Sequence, residues 1–81
     1  MRVKVRLFGS LRERAGRAEL SLELPAGATA QAAWQALVAA APELASRRPS
    51  LAVAVNRAYA DFQTELKDND EVVFIPPVSG G

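Results

Sequence analysis

The chain has 81 residues, a formal net charge of +1, 49% hydrophobic residues and 23% charged residues, which fits one small globular domain. It has no cysteine and no histidine, so disulfides, thiol chemistry, zinc and transition-metal sites of the usual kind and histidine-based triads are excluded. Charge near zero gives no electrostatic support for nucleic acid or a membrane surface, and no apolar run approaches the roughly 20 residues of a membrane span. Met1 to Arg6 alternates charge with valine and lacks a signal-peptide core. These features point to a cytoplasmic protein.

From Arg2 to Leu7, Val3, Val5 and Leu7 alternate with Arg2, Lys4 and Arg6, the period of a half-buried strand. Phe8 falls on the charged face. Leu11 to Ala15 has room for one or two helical turns, which Gly16 ends. Ala18 to Leu24 alternates again, with Leu20, Leu22 and Leu24 on one side, and predicts an antiparallel partner for the first strand.

Thr29 is the candidate N-cap of the main helix. Behind it, Ala30, Ala33, Trp34, Leu37, Val38 and Ala41 recur at three- and four-residue steps, and Pro42 closes the helix. Trp34 shares the phase of Leu37, which favours a core role over a functional one. Glu43 to Ser50 reads as a turn or irregular link whose Arg47-Arg48 pair is solvated. Leu51, Val53 and Val55 form a third strand, Asn56-Arg57 a tight turn, and Ala58 to Ala60 a short return strand. After the polar segment Asp61 to Lys67 and the turn cluster Asp68-Asn69-Asp70, Glu71 to Ile75 forms the last strand. It is apolar on both sides, as a central strand is, or one that offers a face to a partner.

This order predicts an α+β domain over residues 1–75, a mixed sheet with one main helix across one face. Residues 76–81, Pro76-Pro77-Val78-Ser79-Gly80-Gly81, form a tail. The prolines favour an extended backbone, and the glycines leave a slender tip with one carboxylate. A frayed end is the plain alternative.

Several blocks together resemble a family. They are Val5-Arg6-Leu7-Phe8 with Leu11-Arg12-Glu13, Ala54-Val55-Asn56, Leu66 to Val72, and Phe74 to Gly81. The chain resembles the ubiquitin-like β-grasp sulfur carriers, most closely the small subunits of molybdopterin synthases. Asn69 stands where that family usually has glycine, and asparagine tolerates the left-handed turn conformation.

The resemblance implies a carrier and not a catalyst in its own right. An ATP-using activating enzyme of the ubiquitin-activating type would adenylate the Gly81 carboxylate. A sulfur donor would then displace AMP and leave a thiocarboxylate (a 1-thioglycine) at Gly81. The tail would enter the large synthase subunit, with a two-plus-two assembly, and donate sulfur to cyclic pyranopterin monophosphate for molybdenum cofactor biosynthesis. Gly80 and Gly81 are thus the reactive end. Phe8, Tyr59, Ile75, Pro76, Pro77, Val78 and Ser79 are expected to bind partners, with Phe8, Tyr59 and Ile75 on the sheet face away from the helix; a secondary core under the loops is the alternative for these three. Arg12 and the basic first strand could steer an acidic partner, although any single charge reads first as solvated. No cofactor or metal is expected on this chain, and ATP belongs to the partner, since no phosphate-binding loop pattern occurs here. Thiazole synthesis, tRNA thiolation, protein modification through Gly81, or a plain interaction module remain as alternatives. A stand-alone enzyme has only acids such as Asp61 or Glu65, with no convincing pair.

Overall fold

The computed structural model describes residues 1–76. Its elements are β1 (Arg2–Leu7), α1 (Gly9–Ala15), β2 (Glu19–Glu23), α2 (Ala30–Ala40), a 3-10 segment (Pro42–Ser50), β3 (Ala52–Val55), β4 (Ala58–Ala60) and β5 (Glu71–Ile75). The five strands form one sheet in the order β2-β1-β5-β3-β4. β1 and β5 pair in parallel at its centre, and the remaining neighbours are antiparallel. This is the expected mixed sheet of a β-grasp. Alternation identified β1, β2 and β3, the Asn56-Arg57 turn identified β4 and a run apolar on both sides identified β5, but the parallel pairing of the first strand with the last needed the folded chain.

The turns follow from residues that tolerate positive φ. Asn56 and Arg57 sit at φ +51° and +71°, the geometry that joins β3 to β4 in a two-residue hairpin. Asn69 sits at +70°, so asparagine fills the left-handed position where the resembling family has glycine. Asn56 also ties the hairpin to the turn before β5. Its Nδ2 donates to Asp70 Oδ1 at 2.8 Å, and its Oδ1 accepts the Glu71 amide at 2.9 Å.

The helices close one side of the sheet. Thr29 caps α2 as expected, its hydroxyl accepting the Ala32 amide at 3.3 Å. α2 turns Ala30, Ala33, Trp34 and Leu37 onto Val3, Val5, Leu7, Val53, Val72 and Phe74, and all are buried. Trp34 is 3% exposed and meets the Phe74 ring edge-on, with centroids 5.2 Å apart. It is a core residue.

Two expectations are corrected. The link after α2 is a run of 3-10 turns, and it buries Leu44 completely against α1 and α2. Pro42 begins it because proline suits the first turn of a helix. Arg48 is also not a freely solvated charge. Its guanidinium lies 3.5 Å from the centroid of the Phe62 ring, and its Nε donates to Gln31 Oε1 at 2.9 Å. A weakly hydrated guanidinium stacks well on an aromatic face, which holds this segment against the core.

Candidate functional site

The helices leave the other face of the sheet uncovered among the described residues. Alternation sets its composition. With Val3, Val5 and Leu7 buried, Arg2, Lys4 and Arg6 point outward. With Val72 and Phe74 buried, Glu71, Val73 and Ile75 do the same. Cross-strand register then makes a row in which Glu19 faces Arg6, Arg6 faces Val73, Val73 faces Ala54 and Ala54 faces Tyr59. Beside it, Ile75 faces Ala52. The face therefore grades from charged on β2 and β1 to apolar on β5, β3 and β4.

On the charged side, Arg2 pairs with Glu23 at 2.8 Å and Lys4 with Glu19 at 3.7 Å. Arg6 lies 3.9 Å from Glu19 and 3.8 Å from Glu71. Pairs this exposed contribute only about 0–1 kcal/mol each. Their effect is to convert the basic first strand into a mixed-charge ladder. The basic residues of β1 thus stand paired at the surface, and Arg12 is exposed on α1.

On the apolar side, Phe8 and Tyr59 are the large exposed hydrophobics, at 45% and 82%. The Arg6 guanidinium carbon lies 5.6 Å from the Phe8 ring centroid, so Phe8 borders the outer face next to the ladder. Ile75 and Pro76 are half-buried at the end of β5. Neither Phe8 nor Tyr59 belongs to a secondary core. Pro76 meets the β1–α1 corner, where a Cβ built on Gly9 would stand 3.5 Å from Pro76 Cγ. The expected site residues Pro77, Val78, Ser79, Gly80 and Gly81 lie outside the described residues.

The Asp61 carboxylate accepts the Gln63 amide at 2.8 Å and lies 3.4 Å from the Thr64 hydroxyl, so it builds a turn. Among the described residues no group of three or more acidic side chains is placed to hold a metal ion. What the site offers is a flat, graded face ending in a chain that leaves the sheet from its central strand. The two-sided apolar pattern of the last strand put Val73 and Ile75 on one side of it, and the folded chain shows that this side is the outer one. The contribution of Ala52 and Ala54 was not, because it depends on register.

Sequence comparison matches this chain to the ThiS family over residues 5–81. The chain belongs to the ThiS family. It is 41% identical over 83 residues to the molybdopterin synthase sulfur carrier subunit of Chlamydomonas reinhardtii, and the match covers 100% of both chains. Its fold matches the crystal structure of SAMP1 from Haloferax volcanii with a TM-score of 0.93, at 31% identity over 100% of both chains. It also matches a protein–protein complex of subunits 1 and 2 of the molybdopterin-converting factor from Helicobacter pylori, with a TM-score of 0.71 and 27% identity over 100% of both chains. These similarities agree with the ubiquitin-like β-grasp that the strand and helix order supports. No helix among the described residues is long and apolar enough to cross a membrane.

Proposed function

We propose that this ThiS-family chain is the sulfur carrier subunit of a molybdopterin synthase. The observation that carries the reading is the end-to-end match to a relative of that name, together with a family match that runs through Gly81. The steps follow from the chemistry of a carboxylate. A carboxylate is a poor acyl donor because its leaving group is poor. In the activating partner, a Gly81 carboxylate oxygen attacks the α-phosphorus of ATP, and pyrophosphate leaves. A sulfide-level donor, HS⁻, then attacks the acyl carbon, AMP leaves with the broken acyl–oxygen bond, and loss of the remaining proton leaves Gly81 as a thiocarboxylate. That sulfur is nucleophilic without any cysteine in this chain. In the large subunit it bonds to a carbon of cyclic pyranopterin monophosphate as an oxygen leaving group departs. Water then cleaves the acyl–sulfur bond, leaving the sulfur on the pterin and returning Gly81 to a carboxylate. Gly80 and Gly81 suit a narrow active site because neither carries a Cβ near the acyl carbon.

The outer face is the docking surface in this reading. Tyr59, Phe8 and Ile75 supply the apolar anchors, and the ion-pair ladder sets orientation. Aromatic anchors that become fully buried at an interface are each worth about 2 kcal/mol or more. The Helicobacter pylori complex of two subunits, one chain of which this chain resembles in fold, supports a heteromeric partner of this kind. The reading places the chain in the cytoplasm, beside an ATP-using activating enzyme.

The test is to incubate the protein with an activating enzyme, ATP and a sulfur source, and to weigh its C-terminus. Replacement of one oxygen by sulfur is expected. A chain lacking Gly80 and Gly81 that still supports molybdopterin formation would overturn the reading. The similarity to SAMP1, a small archaeal modifier protein by name, favours one second reading, in which Gly81 forms an isopeptide bond with a lysine. A stable conjugate with no thiocarboxylate intermediate would favour it over the carrier.

A further inference from the structure

We propose that the groove between α2 and the 3-10 segment is a second docking site, which takes a protein segment carrying a carboxylate and an aliphatic side chain two residues apart. The site lies on the helix side of the sheet and does not depend on the carrier reading. One wall is α2, where Gln31, Trp34, Gln35 and Val38 recur at the three- and four-residue steps of one helix face. The other is the 3-10 segment, where Ala45 and Arg48 stand one 3-10 turn apart. Together they line an open groove of about 240 Å³.

Arg48 makes one end of the groove polar. Its guanidinium is stacked 3.5 Å from the Phe62 ring centroid, and its Nε donates to Gln31 Oε1 at 2.9 Å, so the cation is held before any ligand arrives. Among the described residues its Nη nitrogens make no hydrogen bond, and the ion pairs all belong to β1. With Gln31 Oε1 accepting from Arg48, the Gln31 amide nitrogen is left as a donor beside it. No lining residue is acidic. The polar end therefore offers only donors and a positive charge, and a guanidinium fork with free N–H groups matches a carboxylate.

The other end, at Val38 and Ala45, is apolar, with the buried Trp34 between. From Gln31 to Val38 the helix rises about 10 Å. Two residues of extended chain advance about 6.6 Å, so a carboxylate at Arg48 leaves the next side chain on that face over Trp34 and toward Val38. Pockets that enclose a small molecule commonly measure about 300–1,000 Å³ and bury most of it. An open groove of about 240 Å³ suits side chains that a partner's backbone holds in place, in preference to a free small acid.

The test is nitrogen-edited NMR on the full chain. The reporters are the indole N–H of Trp34, which is the one tryptophan, the side-chain amides of Gln31 and Gln35, and Arg48 Nε–H. The probes are acetyl-Ser-Leu-Ser-Glu-Ser-amide, its counterpart with Leu and Glu exchanged, each peptide with Gln for Glu, and 4-methylpentanoate. At least one acidic peptide should shift the reporters to saturation with a Kd on the order of 1 mM. Its Gln counterpart and 4-methylpentanoate should each bind at least about fivefold more weakly.

Gln35 is exposed, so Gln35→Glu adds a carboxylate to the rim with little effect on the fold, which thermal melts check. It should weaken the acidic peptide about fivefold and the neutral one less than about twofold. Arg14→Gln changes the net charge equally at an exposed position on α1 and should leave the affinity within about twofold. The proposal is overturned if no reporter shifts saturably up to on the order of 10 mM peptide. Equal binding of the Gln peptide overturns the carboxylate role, and equal binding of 4-methylpentanoate makes the groove a site for free acids. An Arg14→Gln loss as large as that of Gln35→Glu would show diffuse charge attraction and no docking site. Reporters that move on dilution without peptide would show a second copy in the groove, which also overturns the proposal.

Discussion

Phe74 joins the sheet to everything packed on it. It is fully buried, meets Trp34 edge-on, and stacks on Phe62 with centroids 6.0 Å apart and planes 17° from parallel. Phe74→Ala should cost about 3–5 kcal/mol. That is a large part of the roughly 4–12 kcal/mol expected for a chain of this size. Urea titration should show a much lower midpoint or no cooperative transition. Tyr59 predicts the opposite. At 82% exposure, Tyr59→Ala should change stability by no more than about 0.5 kcal/mol. In the carrier reading it should weaken binding to the large subunit by about 2 kcal/mol or more, as read by calorimetry. Both residues were legible in the sequence, Phe74 from its phase with Val72 and Tyr59 from its place on a short return strand. Leu44 and Arg48 were not. A lone leucine in a polar stretch has no period to reveal it, and a cation that stacks on a ring 14 residues away leaves no local signature.

Among the elements, α2 and the 3-10 segment differ in how they are held. α2 has high intrinsic propensity from its alanines, but it has no acidic residue in its first turn and no basic residue in its last. The Thr29 cap therefore carries much of its end stabilisation. Thr29→Ala should cost about 1 kcal/mol, seen as a lower denaturation midpoint with an unchanged slope. The 3-10 segment depends on tertiary contacts, since such helices have poorer hydrogen-bond geometry. Arg48→Ala should remove about 0.5–2 kcal/mol of stacking. Its amides should then exchange faster than those of α2, whereas a uniform loss of protection would contradict a local role. Arg48→Lys should not restore the stack, because an ammonium lacks the planar face of a guanidinium.

For the whole molecule, the centre of the sheet joins chain segments far apart in sequence. β1 cannot complete its pairing until β5 is present, so long-range closure must precede much of the core. A chain cut after Asp70 should lack circular-dichroism signals of a native sheet and a cooperative melt. A chain cut after Pro76 retains every core residue found among the described residues and should melt within a few degrees of the full chain. The succession of strands along the chain and the main helix were legible because they show in local hydrophobic patterns and turn residues. The parallel β1–β5 pair and the graded outer face were not, because both depend on register, which is settled only when strands from opposite ends of the chain meet.

The central placement of β5 also has a mechanical consequence. β5 carries Pro76 and is hydrogen-bonded to β1 on one side and β3 on the other. A partner drawing on the chain beyond Pro76 would load both ladders along the strand axis, roughly across the direction of their hydrogen bonds. Such a load falls on many bonds together, whereas a strand peeled from an edge gives way one bond at a time. The exit strand is thus a handle set in the middle of the sheet, able to bear traction from a gripping partner while the domain behind it keeps its shape.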